Sequence, residues 1–251
     1  MAADDPFALA LQAVRDLQSA SKKPLAIILS GHNGSGKSTF WYRRLANDLK
    51  IPLVNADRLM LSVLPERTKS GRLPRWAEKL RDSDQAWMRV AQGGVMAFVQ
   101  TAMFAKVPFA IETVFSHWKK RADGRIESKI DLIKDLKKAG YFVLLIFVGL
   151  ASAELSILRV QTRKAEGGHD VPKKRLLERF PRTQQAVRAA IPVADAVFLV
   201  DNSRRESQAF TLCAIHIRRP RLHIRIASAP PEIAVWLDVV DKDSRVDRGR
   251  R

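Results

Sequence analysis

The longest hydrophobic stretches of this chain are solid apolar runs, without alternation between apolar and polar positions. "PLAIILS" (24–30), "YFVLLIFVGL" (141–150) and "DAVFLVDNS" (195–203) are nearly continuous in apolar side chains. Runs of this length bounded by turn residues predict strands buried on both faces. "IPLVNA" (51–56) and "KVPFAIET" (106–113) predict two more. Between the runs the apolar spacing changes to a helical one. "STFWYRRLANDLK" (38–50) reads as a helix ending before Pro52. "IESKIDLIKDLKKAG" (126–140) sets Ile126, Ile130, Ile133 and Leu136 on one helical face, with Gly140 as the stop. Phe7, Leu11, Val14 and Leu17 mark an amphipathic helix near the N-terminus. Strands that alternate with helices in this way predict an α/β fold, a mostly parallel sheet covered by helices on both faces. Farther on, "AFTLCAIHIRRPRLHIRIAS" (209–228) reads as two strands around a basic turn at Arg218–Arg221. "APPEIAVWLDVV" (229–240) then docks Trp236 ahead of a charged tail. The expected organisation is one α/β domain over 1–203, N-terminal helix included. A hairpin extension and basic tail, 204–251, pack on the same domain.

The first predicted strand runs directly into "GHNGSGKSTF" (31–40). Gly31, Gly36, Lys37 and Ser38 satisfy the phosphate-loop pattern G-x-x-x-x-G-K-S/T in the required order of strand, loop and helix. Glycines let such a loop turn tightly enough to aim its N–H groups at a polyphosphate. Lys37 supplies a point charge for the β- and γ-phosphates, the Ser38 hydroxyl a ligand for Mg²⁺, and the helix N-terminus its own positive end. Gly31, His32, Asn33, Gly34, Ser35, Gly36, Lys37, Ser38 and Thr39 are therefore the expected nucleotide-binding residues, with Mg²⁺ beside the bound polyphosphate. The fold expectation sharpens to that of a P-loop nucleotide-binding protein.

In parallel sheets ligands sit at the carboxyl ends of the strands. That rule directs Asp57, Glu112 with Thr113, and Asp201 with Asn202 towards the phosphate loop. Asp57, in "VNADRL", could take a proton from an acceptor hydroxyl, ligate Mg²⁺, or cap a helix beginning at Arg58. Glu112 could bind substrate hydroxyls, assist the metal, or be a solvated strand-end charge. "RVQTRKAEGGHDVPKKRLLERFPR" (159–182) places Arg159 and Arg163 on one helix face, with Gly167 and Gly168 as a hinge before a second helix. This describes either a lid that closes arginines over transferring phosphates or a solvated basic hairpin.

Composition adds limits. At 251 residues, 46% hydrophobic and 28% charged, the chain is globular and long enough for one α/β enzyme. Its single cysteine, Cys213, excludes an internal disulfide framework and reads as a small buried hydrophobe. Arg15 and Asp16 interrupt the first apolar stretch, which argues against a secretory signal. Gln100 and Lys106 interrupt the longest one, so a soluble, cytoplasmic protein without membrane spans is expected. The formal charge of +18 raises nucleic acid as a partner. However, no stretch interleaves basic and aromatic residues as a single-strand-binding groove does. A nucleic-acid-end kinase and a non-catalytic nucleotide-binding module are the competing readings. Against a GTPase switch, no N-K-x-D guanine-specificity stretch follows the loop.

Taken together, "GHNGSGKSTF", "VNADRL", "IETVFS", "LIKDLKKAGYFVLLIFVGL", the 159–182 segment and "ADAVFLVDNS" resemble the zeta toxin family of P-loop kinases from about Pro24 to Ser203. The resemblance implies transfer of the ATP γ-phosphoryl to a hydroxyl of a nucleotide sugar, UDP-N-acetylglucosamine being the best-known acceptor. It implies Lys37 and Ser38 on ATP and Mg²⁺, Asp57 as general base, and Asn55, Glu112 and Thr113 at the substrate. It also implies Arg159 as a lid arginine that stabilises the transferring phosphoryl group. A second lid arginine stands farther along in the founding toxins; here Arg163 or His169 would take its place, with His169 at the substrate. A separate antitoxin protein is the partner implied by the same resemblance.

Overall fold

A computed structural model describes residues 5–66, 68, 73–166, 168 and 170–241. Seven strands form one sheet: β1 (Leu25–Gly31), β2 (Leu53–Val54), β3 (Phe109–Thr113), β6 (Phe142–Gly149), β7 (Ala196–Asp201), β8 (Thr211–Ile217) and β9 (Leu222–Arg225). Their order is β2-β3-β1-β6-β7-β8-β9. The first five in that order run parallel, and β8 and β9 are antiparallel additions at one edge. The solid apolar runs have the expected cause, because successive residues of the central strands serve two separate cores. Ala26, Ile28, Val143, Leu145 and Phe147 face one core, and Ile27, Leu29, Leu144, Ile146 and Val148 face the other.

The first core is covered by α6 (Gln85–Ala105), α7 (Ile130–Lys138), α9 (Lys173–Ala190) and α10 (Pro231–Val240). The second is covered by α1 (Pro6–Ala20) and α2 (Lys37–Arg44), which bring in Phe7, Leu11, Val14, Phe40 and Trp41. Phe7 meets Phe40 and Phe198 edge-on, at centroid distances of 5.2 and 5.7 Å. The N-terminal helix is thus an integral wall of the core. Shorter helices α3 (Ala46–Leu49), α4 (Ala56–Ser62) and α5 (Arg75–Ser83) complete the first half, and α8 (Ala153–Ala165) follows β6.

Three expectations need correction. Residues 126–140 are not one helix. Ile126 lies in β5 (Ile126–Ser128), which pairs with β4 (Trp118–Lys120) in a two-stranded ribbon. An Asp123–Gly124 turn closes it, with Gly124 at φ +79°, and the helix starts only at Ile130. Asp57 does not cap a helix from Arg58: α4 begins at Ala56, and the Asn55 side chain accepts the Asp57 N–H at 2.8 Å. Finally, residues 38–50 are not one helix: the helical run breaks at Leu45, between α2 and α3. The segment "GGVMAFVQTAMFA" belongs to α6, an amphipathic helix whose Ala91, Val95, Val99 and Ala102 are buried. Asp84 caps it by accepting from the Ala86 and Trp87 N–H groups. Among the described residues no helix is long and apolar enough to cross a membrane.

Candidate active site

The carboxyl ends of β1, β2 and β3 open on one side of the sheet, and the loop of residues 31–37 crosses that opening. Its backbone demands glycine. Gly36 sits at φ +81°, and a Cβ there would lie 2.7 Å from the Asn202 amide nitrogen. At Gly31 a Cβ would stand 2.5 Å from the Val148 carbonyl oxygen. Asn202, at the end of β7, donates to the Ser35 carbonyl at 2.9 Å and holds the loop from beneath. Ser156, on α8, donates to the Asn33 carbonyl at 2.7 Å. Thr39 is exposed on the outer side of α2.

Lys37 is buried at the centre. Its ammonium donates to the His32 and Gly31 carbonyls at 2.9 and 3.3 Å. Burial pushes its pKa below the usual lysine value and the charge of Arg163 pushes the same way, while Glu112 and Asp57 oppose them. Two acids and one arginine therefore act electrostatically on a single buried ammonium. Ser38 donates to Glu112 at 2.9 Å to one carboxylate oxygen and 3.1 Å to the other. Thr113 follows on the same strand end. The chain then turns through Phe115, which is buried at φ +63°, a conformation that a bulky residue adopts only when its surroundings impose it.

The sequence pattern placed His32 among the nucleotide contacts, and the structure puts its ring elsewhere. It stacks on Phe180 of α9 at 3.8 Å and 10°, and meets Phe147 edge-on at 5.3 Å. Burial, with the Lys37 charge behind it, lowers its pKa to about 3, so the imidazole is neutral. His32 couples the loop to α9, while its carbonyl serves Lys37.

The two arginines of α8 separate. Arg159 lies against the loop, its Cβ 3.1 Å from where a Gly34 Cβ would be; burial lowers its pKa, and the charge of Asp201 opposes that. Arg163 is the one whose charge acts on Lys37. Asp201 proves to be a structural node: fully buried, it accepts from Trp236 Nε1 at 2.9 Å and from Ser203. His169 and the hinge residue Gly167 lie outside the described residues.

Arg179 is the residue that the sequence reading missed. It lines a narrow crevice with His32, Asn33, Val114, Phe180 and Thr183. Burial and the neighbouring Arg175 and Arg182 lower its pKa, and Asp57 raises it. A signal was available. Leu176, Thr183, Gln184 and Val187 form the buried stripe of α9, and Arg179 borders it, which a freely solvated basic face would not predict.

The family pattern of the Zeta toxins matches residues 10–209. An uncharacterised protein of Haemophilus influenzae is 26% identical over 144 residues, 57% of this chain and 84% of that one. In the solved PezAT chromosomal toxin–antitoxin system of Streptococcus pneumoniae, one chain superposes with a TM-score of 0.52 at 16% identity, covering 98% of this chain and 93% of that one. The AvrRxo1-ORF1:AvrRxo1-ORF2 complex solved with ATP gives 0.53 at 19% identity, covering 84% and 64%. The structural likenesses establish a shared fold, and the match across 10–209 establishes descent: this chain belongs to the zeta toxin family, ATP-dependent phosphotransferases built around a P-loop.

Proposed function

We propose that this protein transfers the γ-phosphoryl group of ATP to a hydroxyl of UDP-N-acetylglucosamine or a related phosphorylated metabolite, with Asp57 as the general base. The supporting observation is that Glu112 and Asp57, from the strand ends, and Arg163, from α8, all act electrostatically on the buried Lys37. Lys37 holds the β- and γ-phosphates by exchanging its two loop carbonyls for phosphate oxygens. Asp57, released from any capping duty by Asn55, accepts the acceptor's hydroxyl proton as its oxygen attacks phosphorus. Arg163 and Arg179, from the two helices of the lid, stabilise charge on the equatorial oxygens.

Ser38 Oγ and the Glu112 carboxylate are adjacent hard oxygen donors of the kind that suits Mg²⁺, and they would hold it. Bound there, the ion would neutralise charge on the β- and γ-phosphates. An anionic acceptor fits the surplus of cations on α9, where Arg175, Arg179 and Arg182 lie close enough to influence one another. A separate antitoxin protein, as in the PezAT system, is the partner this reading favours.

The test is incubation with Mg·ATP and UDP-N-acetylglucosamine, followed by mass spectrometry of the sugar nucleotide. One added phosphate, absent with Lys37→Ala, supports the reading. An unmodified acceptor while other phosphorylated metabolites gain phosphate would contradict the named substrate.

A further inference from the structure

The hairpin at the sheet edge carries a cluster that the phosphotransfer site does not use. β8 and β9 pair antiparallel with His216 opposite His223, so the two side chains share one face. Their rings stack at 4.2 Å with 11° between planes. Both Nε2 atoms face the same carboxylate. Asp241 Oδ1 is 2.7 Å from His216 Nε2 and 3.1 Å from His223 Nε2, and Oδ2 is 3.2 Å from His223 Nε2. Asp241 ends α10, and its side chain has no exposure, against 20% and 31% for the histidines. Arg225 holds the far side of the same residue, 3.2 Å from its carbonyl oxygen and 3.6 Å from Oδ2.

Two imidazole nitrogens on one buried carboxylate oxygen are more than a single hydrogen bond accounts for. Moreover, His216 Nε2 and Asp241 Oδ1, close as they are, do not align as donor and acceptor. The three donor atoms all lie within 4.8 Å of one another. A tetrahedral zinc ion with bonds of about 2.0–2.1 Å needs its ligand atoms roughly 3.3 Å apart. The 2.7 and 3.1 Å separations are about 0.6 and 0.2 Å short of that, and the ring planes, now 11° apart, must splay so that both in-plane Nε2 lone pairs meet one ion, a rotamer change open to two partly exposed side chains.

We propose that His216, His223 and Asp241 form a binding site for a divalent first-row transition-metal ion, with Zn²⁺ as the type ion and one position left to water. Two imidazoles and a carboxylate suit zinc far better than the Mg²⁺ required for phosphoryl transfer, so the two ions do not compete. Arg225 orients the carboxylate from behind. The ligands come from β8, β9 and the end of α10, beyond the 10–209 family match. The ion therefore clamps the C-terminal helix to the edge hairpin.

The test uses the untagged full chain, stripped with a chelator and dialysed. Zn²⁺ is titrated calorimetrically, the metal retained after desalting is assayed, and Co²⁺ is added in parallel for its visible d–d bands. About one equivalent of zinc, cobalt bands of tetrahedral type and a raised Tm are expected for the wild type. His223→Gln, at the more exposed ligand, keeps the fold, and its affinity should fall at least about tenfold. His216→Gln/His223→Gln should lose the bands and the Tm rise, whereas Lys37→Ala should bind zinc as the wild type does. A stripped wild type that takes up no zinc, or a folded double variant that binds as much as the wild type, overturns the proposal.

Discussion

At the scale of single residues, the site works by burial against charge. Lys37 is a buried cation whose partners in this structure are two carbonyls, so a bound polyphosphate relieves a real desolvation cost. Removing it as Lys37→Ala should abolish ATP binding, measured by calorimetry. The contribution of Arg179 is separable: Arg179→Ala should lower kcat by about a hundredfold or more, with ATP affinity nearly unchanged in the same assay. His32 gives a pH signature. Its folded pKa of about 3 lies below the unfolded value, so its contribution to stability is complete above roughly pH 6.5 and is lost as pH falls towards 3. Wild type should therefore lose about 1 kcal/mol more per pH unit than His32→Gln between pH 6 and 4, read from urea midpoints. Equal slopes would show that the imidazole is solvated.

At the scale of elements, the turn that follows α8 depends on one small residue. A Cβ at Gly168 would lie 2.6 Å from Arg163 Cγ and 2.8 Å from its carbonyl, which already accepts the Gly168 N–H. Gly168→Ala should displace Arg163, lowering kcat by about tenfold or more while Tm changes by only a few degrees. The elements most legible in the sequence were those whose pattern has a single cause. The phosphate loop, the solid strands and the hairpin were visible because glycine, double-sided burial and a basic turn between two apolar runs each leave a distinct trace. Ile126 was misplaced because its spacing to Ile130 imitates a helix, and the Asp123–Gly124 turn that leads the chain back into β5 was passed over. Arg179 was missed because a charge run reads as solvated until packing shows which of its members face inward. His32 fits the loop pattern in sequence, but its ring orientation depends on Phe180, 148 positions away.

At the scale of the molecule, α10 locks the sheet. Trp236 is fully buried, meets Phe147 at 5.4 Å and donates to Asp201, which also lies at the end of the strand carrying Asn202. Trp236→Ala should cost about 3–5 kcal/mol, because it opens a cavity and leaves a buried carboxylate short of a donor. Urea unfolding measures the loss; a cost below about 1 kcal/mol would mean that α10 is only appended. The same connection joins the C-terminal helix to the floor of the nucleotide loop through Asp201 and Asn202. The central claim is that this assembly carries out phosphoryl transfer with Asp57 as base. The most direct measurement is single-turnover transfer from labelled Mg·ATP to UDP-N-acetylglucosamine, comparing wild type with Asp57→Asn at saturating ATP. The account predicts unchanged ATP binding and transfer slowed by about 10²-fold or more in the variant. Transfer at the wild-type rate by Asp57→Asn would contradict it.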